Sequence, residues 1–282
     1  MILGLNIQTW LGLTVLGALV STAGTLLGIV LKDFFFARSL ESWKHQKTLE
    51  QLYQRYRDPL FLSASELATR LSEVLDNYPT VYLRSSVLQT SPDRLHLNSL
   101  DDPYFQKHKL FSSVYRLAAF LGWLELYRQE ITYLRSASNP HSKALEYAVN
   151  FIRRDLADGQ INKAHDWKEW RDCLIFRDEL RAIGEAMIET RGSTRAVVGY
   201  GRFLEAVESE TDNSIKKWFP VVSNFLIDLE VERKDFRQIR IKSLFIRLVD
   251  LMKLLEATSV ENWLIRKRNS HFAELYTPQK AA

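Results

Sequence analysis

Apolar positions run without a charge from Ile7 to Leu31, 25 residues in all, and no other stretch of the chain comes close. At about 1.5 Å per residue this is a helix of roughly 37 Å, enough to cross a hydrocarbon core of about 30 Å with some tilt. Beyond it, apolar and charged positions alternate with the period of soluble helices. Leu49, Leu52, Tyr53 and Tyr56 keep a 3–4 spacing, so the first helix is expected to run on as a stalk to Arg57. Asp58-Pro59 reads as N-cap and first-turn proline of a new helix carrying Leu60, Ala64, Leu67, Leu71 and Val74, and ending near Pro79. Residues 79–103 are irregular, with Tyr82-Leu83 and Val87-Leu88 either pairing as short strands or docking on helices.

Further helices are predicted at Tyr104–Leu134, from Asn139-Pro140 to Asp158-Gly159, and at Arg177–Glu189. The last is broken by Arg191-Gly192. Ser193 or Thr194 is expected to cap another helix to Glu208. Asn213 caps a short helix interrupted at Pro220, and Glu230–Ala257 and Val260–Leu275 complete the set. The fold class is therefore all-α: a single N-terminal transmembrane helix followed by a multi-helix cytoplasmic bundle. Its expected division is an outside tail (1–6), a transmembrane helix (7–31), a stalk (32–57), a helical domain (58–276) and a flexible tail (277–282).

Charge placement adds topology. No Lys or Arg precedes Trp10, whereas Lys32, Arg38, Lys44, Lys47, Arg55 and Arg57 follow the apolar run. Basic residues near a span stay inside, so the N-terminus faces out and the body is cytoplasmic. Trp10 marks the outer interface, and Phe34, Phe35 and Phe36 the inner one. A cleaved signal peptide needs a basic start and a shorter apolar core, and neither is present. One cysteine, Cys173, leaves no internal disulfide framework and fits a reducing compartment. The formal charge is only +4 and opposite signs are mixed, so nucleic acid is not an expected partner.

Gly17, Ser21, Gly24 and Gly28 fall on one face of the apolar helix, where small residues let two backbones approach in lipid. The expected partners are thus the bilayer, a second copy of the chain, and an unidentified protein. Asp178, Arg181 and Glu185 share a helix face, with Gly184 beside them to admit a neighbouring helix. Covered, they would form a network fixing helix register or recognise a polar ligand; open, they are a solvated ion-pair face. Arg233, Arg237 and Arg240, with Arg266, Lys267 and Arg268, form two basic clusters suited to an anionic membrane surface, or to solvent.

The signals for catalysis are sparse. His45, His96, His108, His141, His165 and His271 lie far apart, with no second His at ligand spacing. Cys173 follows His165-Asp166 but sits among Trp170, Leu174, Ile175 and Phe176, as a buried apolar cysteine does. Gly199-Tyr200-Gly201 lacks a third glycine and reads as close helix contact rather than a phosphate loop. No catalytic, cofactor or metal residue is assigned.

The segments Tyr56-Arg57-Asp58-Pro59-Leu60, Arg181-Ala182-Ile183-Gly184-Glu185 and Gly199-Tyr200-Gly201-Arg202-Phe203 resemble uncharacterised bacterial membrane-anchored helical proteins. The resemblance implies a bacterial inner-membrane protein and supplies no activity. The expected function is a membrane-tethered, self-associating interaction or scaffold module without catalysis. The alternatives are a membrane-acting effector of a stress or phage-defence system, and an enzyme with a site at Asp178, Arg181 and Glu185.

Overall fold

The computed structural model describes residues 7–76, 83–89, 103–131, 140–157, 174–192, 194–229 and 235–276. Most of them are helical. They comprise α1 (Ile7–Leu75), a 3-10 turn (Ser85–Gln89), α2 (Pro103–Ile131), α3 (Pro140–Ala157), α4 (Arg177–Ala186), the strands β1 (Ile188–Arg191) and β2 (Thr194–Val197), α5 (Tyr200–Glu208), α6 (Ser214–Leu226), α7 (Phe236–Glu256), a 3-10 turn (Ala257–Ser259) and α8 (Asn262–Tyr276). The chain divides into two compact units, Met1–Gln51 and Leu52–Ala282.

Within the first unit, Leu11–Val30 is a helix long and apolar enough to cross a membrane, and its side chains are uncovered. Leu13, Leu16, Leu19, Val20 and Leu27 are each more than 60% exposed. Its threonine hydroxyls are answered inside the helix. Thr14, Thr22 and Thr25 donate their hydroxyls to the carbonyls of Leu11, Ala18 and Ser21 at 2.9, 2.7 and 2.8 Å. Such back-bonding satisfies these three hydroxyls without water, as an apolar medium requires. The side chains of Trp10, Phe34, Phe35 and Phe36, and the tails 1–6 and 277–282, lie outside the described residues.

The second unit is built around two helices buried on nearly all sides, α2 and α7. Leu110, Leu117, Phe120, Leu124 and Leu126 on α2, and Ile241, Leu244, Phe245, Leu248 and Leu251 on α7, are at most 1% exposed. α2 packs on α4, α5, α6 and β2, while α7 packs on α3 and α8. Leu60, Leu67 and Leu71 of α1 are also fully buried in this core.

Three local expectations are corrected. α1 passes through Pro59 and α6 through Pro220 without ending. A proline inside a helix forfeits one backbone hydrogen bond. Tyr56 and Leu60 flank Pro59, and Phe219 and Val222 flank Pro220, all buried, so tertiary packing holds each helix across the gap.

The helix expected from Ser193 or Thr194 to Glu208 is instead an antiparallel hairpin followed by α5. Ile188 pairs with Val197 and Arg191 with Thr194. Gly192 makes the turn at φ +62°, a left-handed conformation that glycine adopts without strain. A further bond from Val198 N to Met187 O, 2.8 Å, extends the pairing.

Val87-Leu88 falls in the 3-10 turn rather than a strand, and Leu83 docks as a core residue. Tyr82 lies outside the described residues.

Candidate functional site

Within the second unit, residues 52–75 of α1 run antiparallel to α2. The Tyr56 and Tyr127 rings meet edge to face at 6.0 Å, Arg55 lies 3.7 Å from Glu130, and Arg70 Nη2 lies 3.5 Å from Ser112 Oγ. The two helices part to leave a cleft of about 550 Å³, lined by Asp58, Ser63, Glu66, Tyr115, Arg116 and Trp123 among others. Helical spacing explains the arrangement. Asp58, Leu62, Glu66 and Arg70 recur every four residues on α1, and Lys109, Ser112, Arg116, Ala119 and Trp123 recur every three or four on α2.

On the cleft itself the carboxylates Asp58 and Glu66 face a single cation, Arg116, and Arg70 and Lys109 lie outside its lining. Arg70 is only 4% exposed and pairs with Glu73 at 2.8 Å, but its Nε has no hydrogen-bond partner. Burial lowers the pKa of Arg70, and the neighbouring Arg116 lowers it further. Burial also lowers that of Lys109, with Arg70 and Arg116 both adding to the effect. Arg116 itself is half-buried and makes no hydrogen bond or ion pair among the described residues. Of the carboxylates on the cleft, Asp58 pairs with Arg57 at 3.0 Å and Glu66 is exposed.

Tyrosines of α2 and α5 border the cluster. Burial pushes the Tyr200 phenol up to about 12, so it stays protonated, 5.2 Å ring to ring from Tyr115. Tyr115 donates to the carbonyl of Val198 at 3.2 Å.

Asp178, Arg181 and Glu185 lie on an open face of α4. Arg181 is 3.7 Å from Asp178, with side chains 49% and 96% exposed, and Glu185 is exposed too. This is the geometry of a solvated ion-pair face. The buried charge lies nearby on α2 and α3. Glu125, 1% exposed, accepts from Arg128 Nε at 2.7 Å and from Gln129 at 2.8 Å, and Arg153 approaches to 3.9 Å. Arg195 of β2 donates to Gln129, tying the hairpin to this network.

The basic clusters are largely internal. Arg237 grips Asp235 and donates to the carbonyls of Asn224, Ile227 and Asp228, closing the C-terminal end of α6. Arg240 is 2% exposed and donates to the carbonyl of Asp155 at 2.8 Å, so it is a core residue and not a membrane-facing one. Lys267 is engaged by Ser72 and Asp76, and Arg268 forks onto Asp250 at 3.0 and 3.1 Å. Arg266 is exposed, and Arg233 lies outside the described residues.

A Cβ built at Gly17, Gly24 or Gly28 would meet nothing within 4 Å, so the small-residue face is open. The same holds for Gly199 and Gly201, which corrects the expectation of close helix contact there. Cys173, His96, His165 and Asp166 lie outside the described residues, as does the side chain of His141. Among the described residues no three His, Cys, Asp or Glu side chains gather as metal ligands.

Sequence reasoning missed Arg70, Lys109 and Arg116, because their signal is a meeting of two helices more than thirty residues apart. It missed Glu125 and Asp155 for the same reason. No protein family, curated protein or solved structure matches this chain.

Proposed function

We propose that this chain is a membrane-tethered helical interaction module without catalytic activity. In this reading residues 7–31 hold it in the inner membrane of a bacterium, with the N-terminus outside and residues 58–276 in the cytoplasm. A second copy packs against Gly17, Ser21, Gly24 and Gly28. The observation that carries the reading is the charge-free segment Leu11–Val30, whose large apolar side chains are uncovered while its threonine hydroxyls are satisfied internally. Surface of that kind is costly in water and at home in lipid. The concentration of Lys and Arg after Leu31 supports the orientation.

Val20→Arg tests the anchor. A charge near the middle of a span costs about 2.5–3.5 kcal/mol on insertion scales. The variant is expected to move out of the membrane fraction, and an unchanged distribution refutes the anchor. Gly24→Leu with Gly28→Leu tests self-association, since branched side chains hold two backbones apart. Cross-linked dimers in membranes are expected to fall, and a chain that is monomeric both in membranes and in mild detergent refutes the second copy.

A further inference from the structure

The cleft between residues 58–66 of α1 and 115–123 of α2 holds a carboxylate and a guanidinium on opposite walls that do not meet. Its α1 wall presents Asp58, Leu62 and Glu66, and its α2 wall Tyr115, Arg116 and Trp123. The register of the two helices, Tyr56 against Tyr127 and Arg70 against Ser112, brings Glu66 level with Arg116. Yet neither makes a hydrogen bond or ion pair, with the other or with any described residue. Asp58 differs, since Arg57 holds it at 3.0 Å. One charge of each sign is therefore left over on the two walls.

An unpaired charge at a surface is ordinary and calls for no ligand by itself. The rest of the cleft sets this pair apart. By the same register Trp123 lies level with Pro59, roughly 10 Å along the axis from Arg116. Leu62 stands between these two levels, 60% exposed. A leucine so uncovered beside an indole is surface that gains by meeting an apolar group. The space is about 550 Å³, within the roughly 300–1,000 Å³ usual for small-molecule sites.

We infer that this cleft binds an α-amino acid with a large apolar side chain, its carboxylate on Arg116, its ammonium on Glu66, and its side chain against Leu62 and Trp123. A guanidinium matches a carboxylate with two parallel hydrogen bonds, and an ammonium brings three donors to a carboxylate wall. A ligand with a single charge would cover the cleft and leave the opposite charge desolvated without a partner, which is costly. The zwitterion answers both. The site lies wholly within the second unit and is independent of the membrane anchor and of self-association.

The test is calorimetric titration of the full-length protein in detergent with L-phenylalanine, L-tryptophan and L-leucine. At least one is expected to bind with a Kd below about 1 mM. Glycine, which lacks the apolar group, is expected to bind about tenfold or more weakly. For the tightest binder, the N-acetyl derivative has lost the ammonium and the decarboxylated amine has lost the carboxylate. Each is expected to bind about tenfold or more weakly than the parent.

Two substitutions link each ligand charge to its wall. Glu66→Gln is expected to weaken the amino acid about tenfold and to leave the N-acetyl derivative no weaker than before. Arg116→Gln is expected to weaken the amino acid similarly and to leave the amine no weaker. Neither side chain makes a bond in the fold, so both unliganded variants are expected to melt with wild type. Trp123→Leu is expected to weaken the amino acid about threefold or more. Arg181→Ala, on the open face of α4, is expected to change nothing.

Several outcomes overturn the inference. They are no amino acid bound more tightly than about 1 mM, binding that survives both Glu66→Gln and Arg116→Gln, and glycine bound as tightly as the apolar amino acids. An N-acetyl derivative or an amine that binds as well as its parent overturns it in favour of a singly charged ligand.

Discussion

A methyl group at Gly184 would lie 2.7 Å from the carbonyl oxygen of Leu121 and 2.8 Å from Cβ of Glu125, both on α2. Neither neighbour is the free end of a flexible side chain, so the helices themselves must part. Gly184→Ala is therefore expected to destabilise the second unit by about 1–3 kcal/mol, the usual cost of overpacking a close contact. The measurement is denaturant unfolding of the variant, and an unchanged midpoint would show that α4 shifts freely. The role of Gly184 was legible, because a glycine within an amphipathic helix, beside charges, points to close approach. Gly199 and Gly201 carry the same local signature and meet nothing. Spacing alone does not say which face of a helix another element covers. Asp155 shows the same limit. It is 6% exposed, accepts from Ser243 Oγ at 2.5 Å and Arg247 Nε at 3.0 Å, and clamps α3 to α7 across about ninety residues.

At the scale of elements, periodicity located most helices within a few residues, because one-sided burial leaves a 3–4 pattern in the sequence. It failed where packing overrides a local signal. Pro59 and Pro220 read as breakers, but buried neighbours on both sides keep α1 and α6 continuous. It failed again at residues 188–197, too short for either period to stand out.

The seat of α8 on α7 adds a dependence on pH. His271 lies edge to face against Phe245 at 5.7 Å, only 8% exposed, with no hydrogen-bond partner for Nε2. Burial lowers its pKa below the ordinary 6.5. The hydrogen bond and charge of Glu274 oppose the shift, and Lys242 and Lys267 reinforce it. The unfolded chain thus binds this proton more readily than the folded one. Stability is unaffected above about pH 6.5 and falls as pH drops below that value toward the folded pKa. Glu274, held low by Lys242 and His271 against its own burial, adds a loss of the same sign below about pH 4.5. The melting temperature is expected to fall between pH 7 and 5.5. His271→Phe, which keeps the ring and removes the titration, is expected to flatten that fall. An equal fall in the variant would place the sensitivity elsewhere.

At the scale of the whole molecule, the two units obey different solvent rules. Leu11–Val30 keeps its apolar side chains outward, whereas Leu52–Ala282 buries Leu60, Leu117, Phe120, Phe245 and Leu248 completely and keeps most of its charges at the surface. This contrast was legible, since hydropathy along a chain separates a uniform apolar run from an amphipathic one. The cleft was not, because it exists only where residues 58–66 meet 115–123. The second unit has an extensive core of its own, so its folding is expected to need neither lipid nor residues 1–51. Fragment 52–282 should be soluble without detergent and helical by circular dichroism. It should also unfold in one cooperative transition, within about 2–4 °C of the full-length protein's, the shift that about 1 kcal/mol produces at this size. An insoluble fragment, or one with a broad non-cooperative melt, would mean that part of the core's stability comes from the first unit or from a partner that covers it.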